Sequence, residues 1–323
     1  MGEYAVEFFR TLDGSGTFTY TERPKLNLLG TAADAGEYES LVDDLPATIY
    51  TADEVAERYD GKVDLSAFYG AVDYLGTGTI DAIDYTRTLK MEAEQEGARF
   101  LTDTRVEKIT TQDGEVTGVE TEYGPIEAET VVSAVGNQTR ALCTGHVEVP
   151  VRPVRWEAVE LRPSENVDVE SYPMGSDPTI ESYWRPINRG HLLVGGNATP
   201  AAEPDAAKRG ASEEFQNRIT DYIGEILPAF SDAEIVSTEC CSTPDAASPD
   251  TLPIIDAPES APDGLIVATG FQRGGVLTSP CTARIVRSLQ TGEECPVPLE
   301  PFRLSRFDDR SASFELESIY ARN

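Results

Sequence analysis

Apolar and polar positions along the chain predict short mixed elements, then a sharply punctuated α/β stretch, then longer strands, then α/β again. Tyr4, Phe8, Phe9 and Leu12 have the spacing of one amphipathic helix face over residues 4 to 12. A Gly14-Ser15-Gly16 turn follows, with strand-like runs at 17 to 21 and 26 to 30 and a helix at 52 to 59 in a polar stretch. From Ile80 the signals sharpen. Asp81 opens a helix that runs through Glu96 and stops at Gly97, and residues 99 to 101 read as a strand. A meander comes next, with strands at 106 to 111, 116 to 121 and 126 to 128 separated by Asp113-Gly114 and Tyr123-Gly124. It leads into residues 131 to 136, an apolar run closed by Gly136 that reads as a strand buried in a parallel sheet.

Residues 149 to 243 predict an antiparallel unit, with strands at 154 to 161, 179 to 184 and 191 to 195. A helix is predicted at 213 to 227, where Phe215, Ile219, Tyr222, Ile223 and Ile226 share one face. Residues 264 to 270 read as a buried strand, followed by a glycine-rich turn and a helix from 275 to 289. No internal repeat is evident.

Composition narrows the classes. At 323 residues and 40% hydrophobic, the chain can bury a sizeable core. The 57 acidic residues outnumber the 26 basic ones, of which only Lys25, Lys62, Lys90, Lys108 and Lys208 are lysines. Such a surface repels phosphate backbones and anionic lipid, which argues against nucleic-acid and membrane-surface partners. The acid is spread along the chain, a pattern that resembles proteins of salt-loving microbes; an ordinary acidic protein is the alternative. No run approaches the roughly 20 apolar residues of a membrane span, and no signal peptide is evident, so a cytoplasmic protein is expected. Five cysteines (Cys143, Cys240, Cys241, Cys281, Cys295) without framework spacing suit reduced thiols.

The strongest chemical signal is the strand, turn and helix around Gly270-Phe271-Gln272-Arg273-Gly274-Gly275-Val276-Leu277. Glycines between a buried strand and a helix let backbone N–H groups and the positive helix end approach an electron-rich ligand. A purely structural turn explains the same glycines.

The order of parts resembles a known family. The helix at 81 to 96, the meander around Val106, the strand ending at Gly136, the antiparallel block, Asp250-Thr251-Leu252-Pro253-Ile254-Ile255, Ala268-Thr269-Gly270 and Phe302-Arg303-Leu304-Ser305-Arg306-Phe307 occur in the family's sequence order. That family is the FAD-dependent D-amino-acid oxidase superfamily, with glycine oxidase, sarcosine oxidase and dimethylglycine dehydrogenase. The resemblance implies an α/β fold, α+β overall: a doubly wound FAD-binding domain lacking its first βαβ unit, plus an antiparallel-sheet substrate domain. Residues 1–79 and 146–247 would belong to the substrate domain, 80–145 and 248–294 to the FAD-binding domain, and 295–323 to a C-terminal tail. It further implies FAD, with Val106 near the adenine, Gly136 near the middle of the cofactor, and Gly270, Gly274, Gly275 and Val276 facing the flavin. The implied reaction is oxidation of a C–N bond of a small amine or amino acid by hydride transfer to flavin.

Departures from the family pattern carry information. No complete G-x-G-x-x-G follows a strand, and Gly14-Ser15-Gly16, with Thr19 in the third position, reads as a turn. This predicts a truncated front end, an inactive remnant, or a subunit completed by a second chain or a homo-oligomer. Gly274 and Leu277 stand where sarcosine-oxidase relatives carry His and Lys, whereas Arg273 matches an arginine of glycine-oxidase relatives. Arg273 is expected either to meet a flavin carbonyl or substrate carboxylate, or to pair with a surface acid. Asp245 lies where those relatives place a carboxylate-binding arginine, which calls for another binding group or another amine. Cys240-Cys241 lies near the place where some relatives attach FAD, although two packed thiols suit the position better. Tyr183, in the hairpin resembling the one above the flavin, either points a hydroxyl at substrate or packs. With two histidines, a His-rich metal site is excluded.

Overall fold

In the computed structural model of the protein, residues 2–42, 46–187, 189–201, 210–238 and 244–317 are described. The architecture is mixed α/β. Its largest unit is a nine-stranded sheet organised around Arg152–Arg162, an 11-residue strand that pairs antiparallel with His191–Pro200 on one side. Its other side pairs with Glu234–Ser237 and Asp245–Ala247. Beyond His191–Pro200 the order continues through Ser182–Ile187, Met174–Asp177, Lys25–Leu29, Gly70–Tyr74 and Ala47–Thr51. Met174–Asp177 and Lys25–Leu29 run parallel, which joins the first strands of the chain to the antiparallel block.

The two faces of this sheet differ. One buries Leu26, Leu28, Val159, Leu161, Trp184, Leu192 and Val194 against Glu213–Ile226, a helix that contributes Phe215, Ile219, Ile223 and Ile226. Ser212 caps that helix by accepting the Phe215 N–H. Burying each such aliphatic side chain contributes about 1.5–3 kcal/mol, so this face anchors the unit. The opposite face carries Lys25, Asn27, Ser176 and Tyr183, as strand alternation and register require.

A smaller sheet carries the sequence-predicted turn. Leu265–Thr269 is buried along its length, antiparallel to Ile254–Asp256 and parallel to Val131–Ser133. Gly275–Thr291 packs over it through Ile285, with Ile255, Ala268 and Phe302 around it. The meander forms a third sheet of Val106–Gln112, Glu115–Thr121 and Gly124–Glu127. Its first hairpin turns on Asp113 and Gly114, both at positive φ (55° and 90°), as a tight Asp-Gly hairpin requires. Asp81 caps Ala82–Gln95 by accepting the N–H groups of Ile83 and Asp84. Phe9, Phe18 and Tyr85 bind Gly2–Leu12 to that helix, and the Tyr85 hydroxyl lies 2.9 Å from Ser279 Oγ of Gly275–Thr291.

Four local expectations are corrected. Residues 99 to 101 form no strand: Phe100 and Leu101 are exposed and pair with no strand among the described residues. The strand at 131 to 136 is only Val131–Ser133; Val132 is exposed, and φ of +56° at Gly136 breaks the extended run. Residues 179 to 184 begin as a 3-10 turn, Pro178–Ile180, because Pro178 is preset for a first turn and Asp177 accepts the Thr179 N–H. The strand then begins at Ser182, after Glu181 turns left-handed. The first strand falls at Tyr20–Glu22, later than the 17 to 21 expected, and pairs with Gly78–Ile80. Cys240 and Cys241 lie outside the described residues. Among the described residues no helix is long and apolar enough to cross a membrane.

Candidate active site

The turn after Leu265–Thr269 holds an unusual backbone. Gly270, Gln272 and Arg273 all have positive φ, at 75°, 46° and 72°. Gly270 suits this, since a Cβ there would stand 3.2 Å from Ser248 Cβ. Gln272 and Arg273 pay a steric cost that glycine would avoid, of order 1–2 kcal/mol for each, and such strain persists where the surroundings over-determine it. Those surroundings are on view. The Arg273 N–H donates to Asp245 Oδ2 at 2.6 Å, while Asp245 Oδ1 accepts the Ala246 N–H at 2.7 Å. The Gln272 N–H donates to Ala246 O at 3.2 Å. Asp245, which stands where glycine-oxidase relatives are expected to carry a carboxylate-binding arginine, thus holds the turn.

Above the turn lies the open face of the large sheet. The Arg273 guanidinium sits 4.1 Å from the Tyr183 ring centroid and 4.5 Å from that of Trp156. Both aromatics present π-faces to the cation, which fixes the plane of its fork. Tyr183 fits only because its cross-strand partner is Gly195: a Cβ there would come within 2.6 Å of the ring. The Trp156 indole N–H is buried with no hydrogen-bond partner among the described residues. Lys25 lies on the same sheet face as Tyr183. Burial and the neighbouring charge of Arg273 push its ammonium pKa down. Behind it, Ser176 Oγ donates to Asn27 Oδ1 at 2.8 Å and Asn27 Nδ2 donates to the Tyr38 hydroxyl at 2.8 Å. Burial, with Tyr74 close by, pushes the Tyr38 hydroxyl up to about 12, so it stays a neutral hydrogen-bonding group.

The remaining site residues frame the approach to this cluster. Gly274 and Gly275 sit where the turn enters the helix, and Val276 in its first turn is exposed. At Gly275 a Cβ would meet only ordinary contacts, the nearest Phe271 Cβ at 3.6 Å, whereas at Gly274 it would crowd the Phe271 carbonyl oxygen at 3.1 Å. Neither has positive φ. Internal packing therefore accounts for glycine at 274 but does not demand it at 275, where bare backbone leaves the helix N-terminus approachable. Gly136 adjoins the turn, because Thr269 Oγ1 donates to its carbonyl at 2.8 Å. Val106 lines an open cleft of about 790 Å³ with Thr104, Arg105, Val135, Gln138 and Leu142. Val106 and the residues flanking Gly136 thus share one cleft, while Arg273 and Tyr183 are in contact. Lys25 and Trp156 escape a sequence reading because only strand register puts them on the sheet face that Arg273 meets. An isolated lysine in an acidic chain, beginning an otherwise buried strand, was the one available signal for Lys25.

A mixed α/β chain with a glycine turn at a helix N-terminus, facing a sheet across an aromatic and cationic cluster, defines a nucleotide-cofactor enzyme architecture. The model of the DAO family, FAD dependent oxidoreductase, matches residues 1–289, and the chain belongs to that family. The family is FAD-dependent. Glycine oxidase from Pseudomonas putida is 26% identical over 275 residues, covering 81% of this chain and 72% of the relative. D-amino acid dehydrogenase from Cereibacter sphaeroides is 28% identical over 241 residues, covering 74% of this chain and 52% of the relative. The chain thus spans little more than half the length of several curated relatives it matches. Among solved structures, glycine oxidase from Geobacillus kaustophilus superposes with a TM-score of 0.78 at 26% identity, covering 94% of this chain and 80% of that one. L-proline dehydrogenase from P. horikoshii superposes with a TM-score of 0.82 at 20% identity, covering 95% and 82%, and shares the fold.

Proposed function

We propose that the protein oxidises a C–N bond of a small amino acid or amine, using FAD bound along the cleft from Val106 past Gly136 to the turn at 270 to 277. The observation that carries this reading is the turn itself: two strained residues, Gln272 and Arg273, are held in place beside Gly275, a glycine that internal packing does not require. The Gln272 carboxamide adds support. It is 4% exposed and neither its oxygen nor its nitrogen has a hydrogen-bond partner among the described residues, an arrangement that suits a ligand offering both donor and acceptor edges. These residues fit a flavin. When bound, FAD supplies the two-electron acceptor for the C–N oxidation. The chain's own residues orient substrate: Tyr183 and Trp156 form an apolar wall, and Arg273 brings a fixed positive charge. The Gly270, Gly274, Gly275 and Val276 backbone would hold the ring side of FAD, Gly136 its middle and Val106 its adenine side.

The test is direct. Purified protein incubated with FAD and desalted should retain a flavin absorption band, and anaerobic addition of amino acids or amines should bleach it. A chain that stays colourless and binds no FAD would overturn the reading.

A form of the enzyme completed by a second chain is favoured by one observation. Val131–Ser133 is the outer strand of its sheet among the described residues, with Val132 and Val135 exposed beside it. Co-purification of a partner that restores FAD binding supports that form; FAD bound by the lone, monomeric chain removes it. A reducing compartment such as the cytoplasm accords with Cys143, Cys281 and Cys295 carrying thiols rather than disulfides.

A further inference from the structure

A second cavity, of about 240 Å³, lies at the hairpin end of the large sheet, and none of the residues of the turn at 270 to 277 lines it. On one side it is walled by the sheet. Glu160 and Arg185 both pair with Leu193, one from each flank, so they stand in one row two strands apart. With strands about 4.8 Å apart, their backbones are separated by roughly 10 Å. Arg189, exposed at the hairpin, adds a second guanidinium. The other side is the two-stranded ribbon, where Thr21 pairs with Thr79, together with Thr19 and the start of Ala82–Gln95 at Asp81 and Ala82.

The row holds two opposite charges that do not meet. Among the described residues, neither Arg185 nor Arg189 has an ion pair or a side-chain hydrogen bond, although the chain has 57 acidic residues. Glu160 has only His191 beside it: Oε2 is 3.6 Å from Nδ1, too far for a hydrogen bond, and that nitrogen has no hydrogen-bond partner. Asp81 is already engaged, since its Oδ1 accepts the Ile83 and Asp84 N–H groups at 2.8 and 3.0 Å.

Arg185 is half-buried and the Glu160 side chain is 20% exposed, so both have given up hydration without offsetting each other. An anion alone would meet Arg185 but also face Glu160, and would approach against a net charge of −31. A cation alone would meet Glu160 but also face two guanidiniums. A ligand carrying both signs satisfies the row and meets neither obstacle. The threonine hydroxyls, each donor and acceptor, supply a polar opposite wall.

We infer that this cavity binds a small zwitterion, its oxyanion end on Arg185 and Arg189 and its ammonium end on Glu160. The site is separate from the turn and stands independently of the oxidoreductase reading. Amino carboxylates and aminosulfonates share the required chemistry.

The experiment titrates the full chain by calorimetry, with and without FAD, in about 0.5 M NaCl, where exposed charges are screened and a partly buried pair much less so. The probes are β-alanine and taurine, beside propionate and ethylammonium chloride, which carry one charge each. At least one zwitterion is expected to bind with a Kd of about 1 mM and to raise the melting temperature, and the single-charge probes to bind about tenfold more weakly or worse. Arg185→Met and Glu160→Gln should each weaken zwitterion binding by about tenfold or more. Glu160→Gln should not weaken propionate binding, which a general loss of structure would do. Arg273→Gly should leave zwitterion binding unchanged. Binding of β-alanine alone or taurine alone supports the site and names its preferred oxyanion. No binding of either zwitterion, propionate bound as tightly as β-alanine, binding unmoved by Arg185→Met, or binding lost in Arg273→Gly instead overturns the inference. The comparison of probes on wild type needs no variant, so it decides even where a variant fails to fold. A chain that binds no FAD but binds a zwitterion through Arg185 and Glu160 removes the oxidoreductase reading alone. Flavin bleaching without zwitterion binding removes this inference alone.

Discussion

Tyr183 lies flat across Gly195, and the space a methyl group would need at Gly195 is already filled by the ring, 2.6 Å away. The ring in turn supports Arg273, 4.1 Å from its centroid. Gly195→Ala is therefore expected to tilt Tyr183 off the sheet and to displace the guanidinium with it. The expected result is a drop of about tenfold or more in kcat/KM, since small misplacements near a reacting centre are costly. FAD retention should persist. Steady-state kinetics beside flavin absorbance checks this, and unaltered kcat/KM would show that the stack does not position substrate.

The equivalent pair on the other face gives a contrasting prediction. Gly175 faces Trp184, which is 1% exposed, and a Cβ there would stand 2.0 Å from the indole. Because Trp184 belongs to the large core, Gly175→Ala should lower stability by about 1–3 kcal/mol through overpacking. Urea unfolding measures the loss. KM of protein that remains folded should not change, in contrast to Gly195→Ala.

At Arg273, strain and function oppose each other. Arg273→Gly relieves a left-handed conformation worth about 1–2 kcal/mol and loses a cation–π stack of similar size, about 0.5–2 kcal/mol. Thermal stability is expected to stay near wild type while activity falls steeply. Arg273→Lys keeps the charge and the strain but loses the planar fork, and should recover only part of the activity. A large fall in melting temperature for Arg273→Gly would mean that the stack outweighs the strain.

These variants also mark where sequence reading reaches. Ala82–Gln95 was legible because Asp81 caps it locally, and the turn at 270 to 277 because its glycines interrupt two regular periods. Family resemblance points to Arg273 and Tyr183 as candidates, and they touch. Lys25 and Trp156 are not legible in this way, because the sheet face they share with Tyr183 is set by strand pairings between residues far apart in the chain. The failed strand at 99 to 101 has the same origin. Phe100 has strand propensity, but a strand exists only where a neighbour pairs with it.

Asp73 offers a pH test outside the site. Its side chain is fully buried on Gly70–Tyr74, with Oδ2 3.2 Å from Arg58 Nε. Burial raises its pKa, and Arg58 offsets this only in part. A carboxyl whose folded pKa exceeds its unfolded value stabilises the fold below the unfolded pKa, and that contribution is lost as pH rises through the folded pKa. Asp73→Asn removes this titration. Urea unfolding from acidic to neutral pH should show the variant's stability improving relative to wild type as pH rises. A difference that is constant with pH would mean that Asp73 titrates alike in both states.

The net charge of −31 makes the largest demand on conditions. Exposed pairs such as Arg10–Glu22 and Arg287–Glu293 are present, but acids outnumber bases by more than two to one. Salt weakens attraction and repulsion alike, so in this chain its net effect favours the folded state. The Debye length falls from about 10 Å at 0.1 M to about 3 Å at 1 M, so most of the gain should come below that concentration. Melting temperature should therefore rise steeply with NaCl at first and then level off. Sodium sulfate, which also strengthens apolar burial, should keep raising it. A melting temperature that is flat or falling in NaCl would show that the dispersed carboxylates do not strain the fold, and that their abundance calls for another explanation.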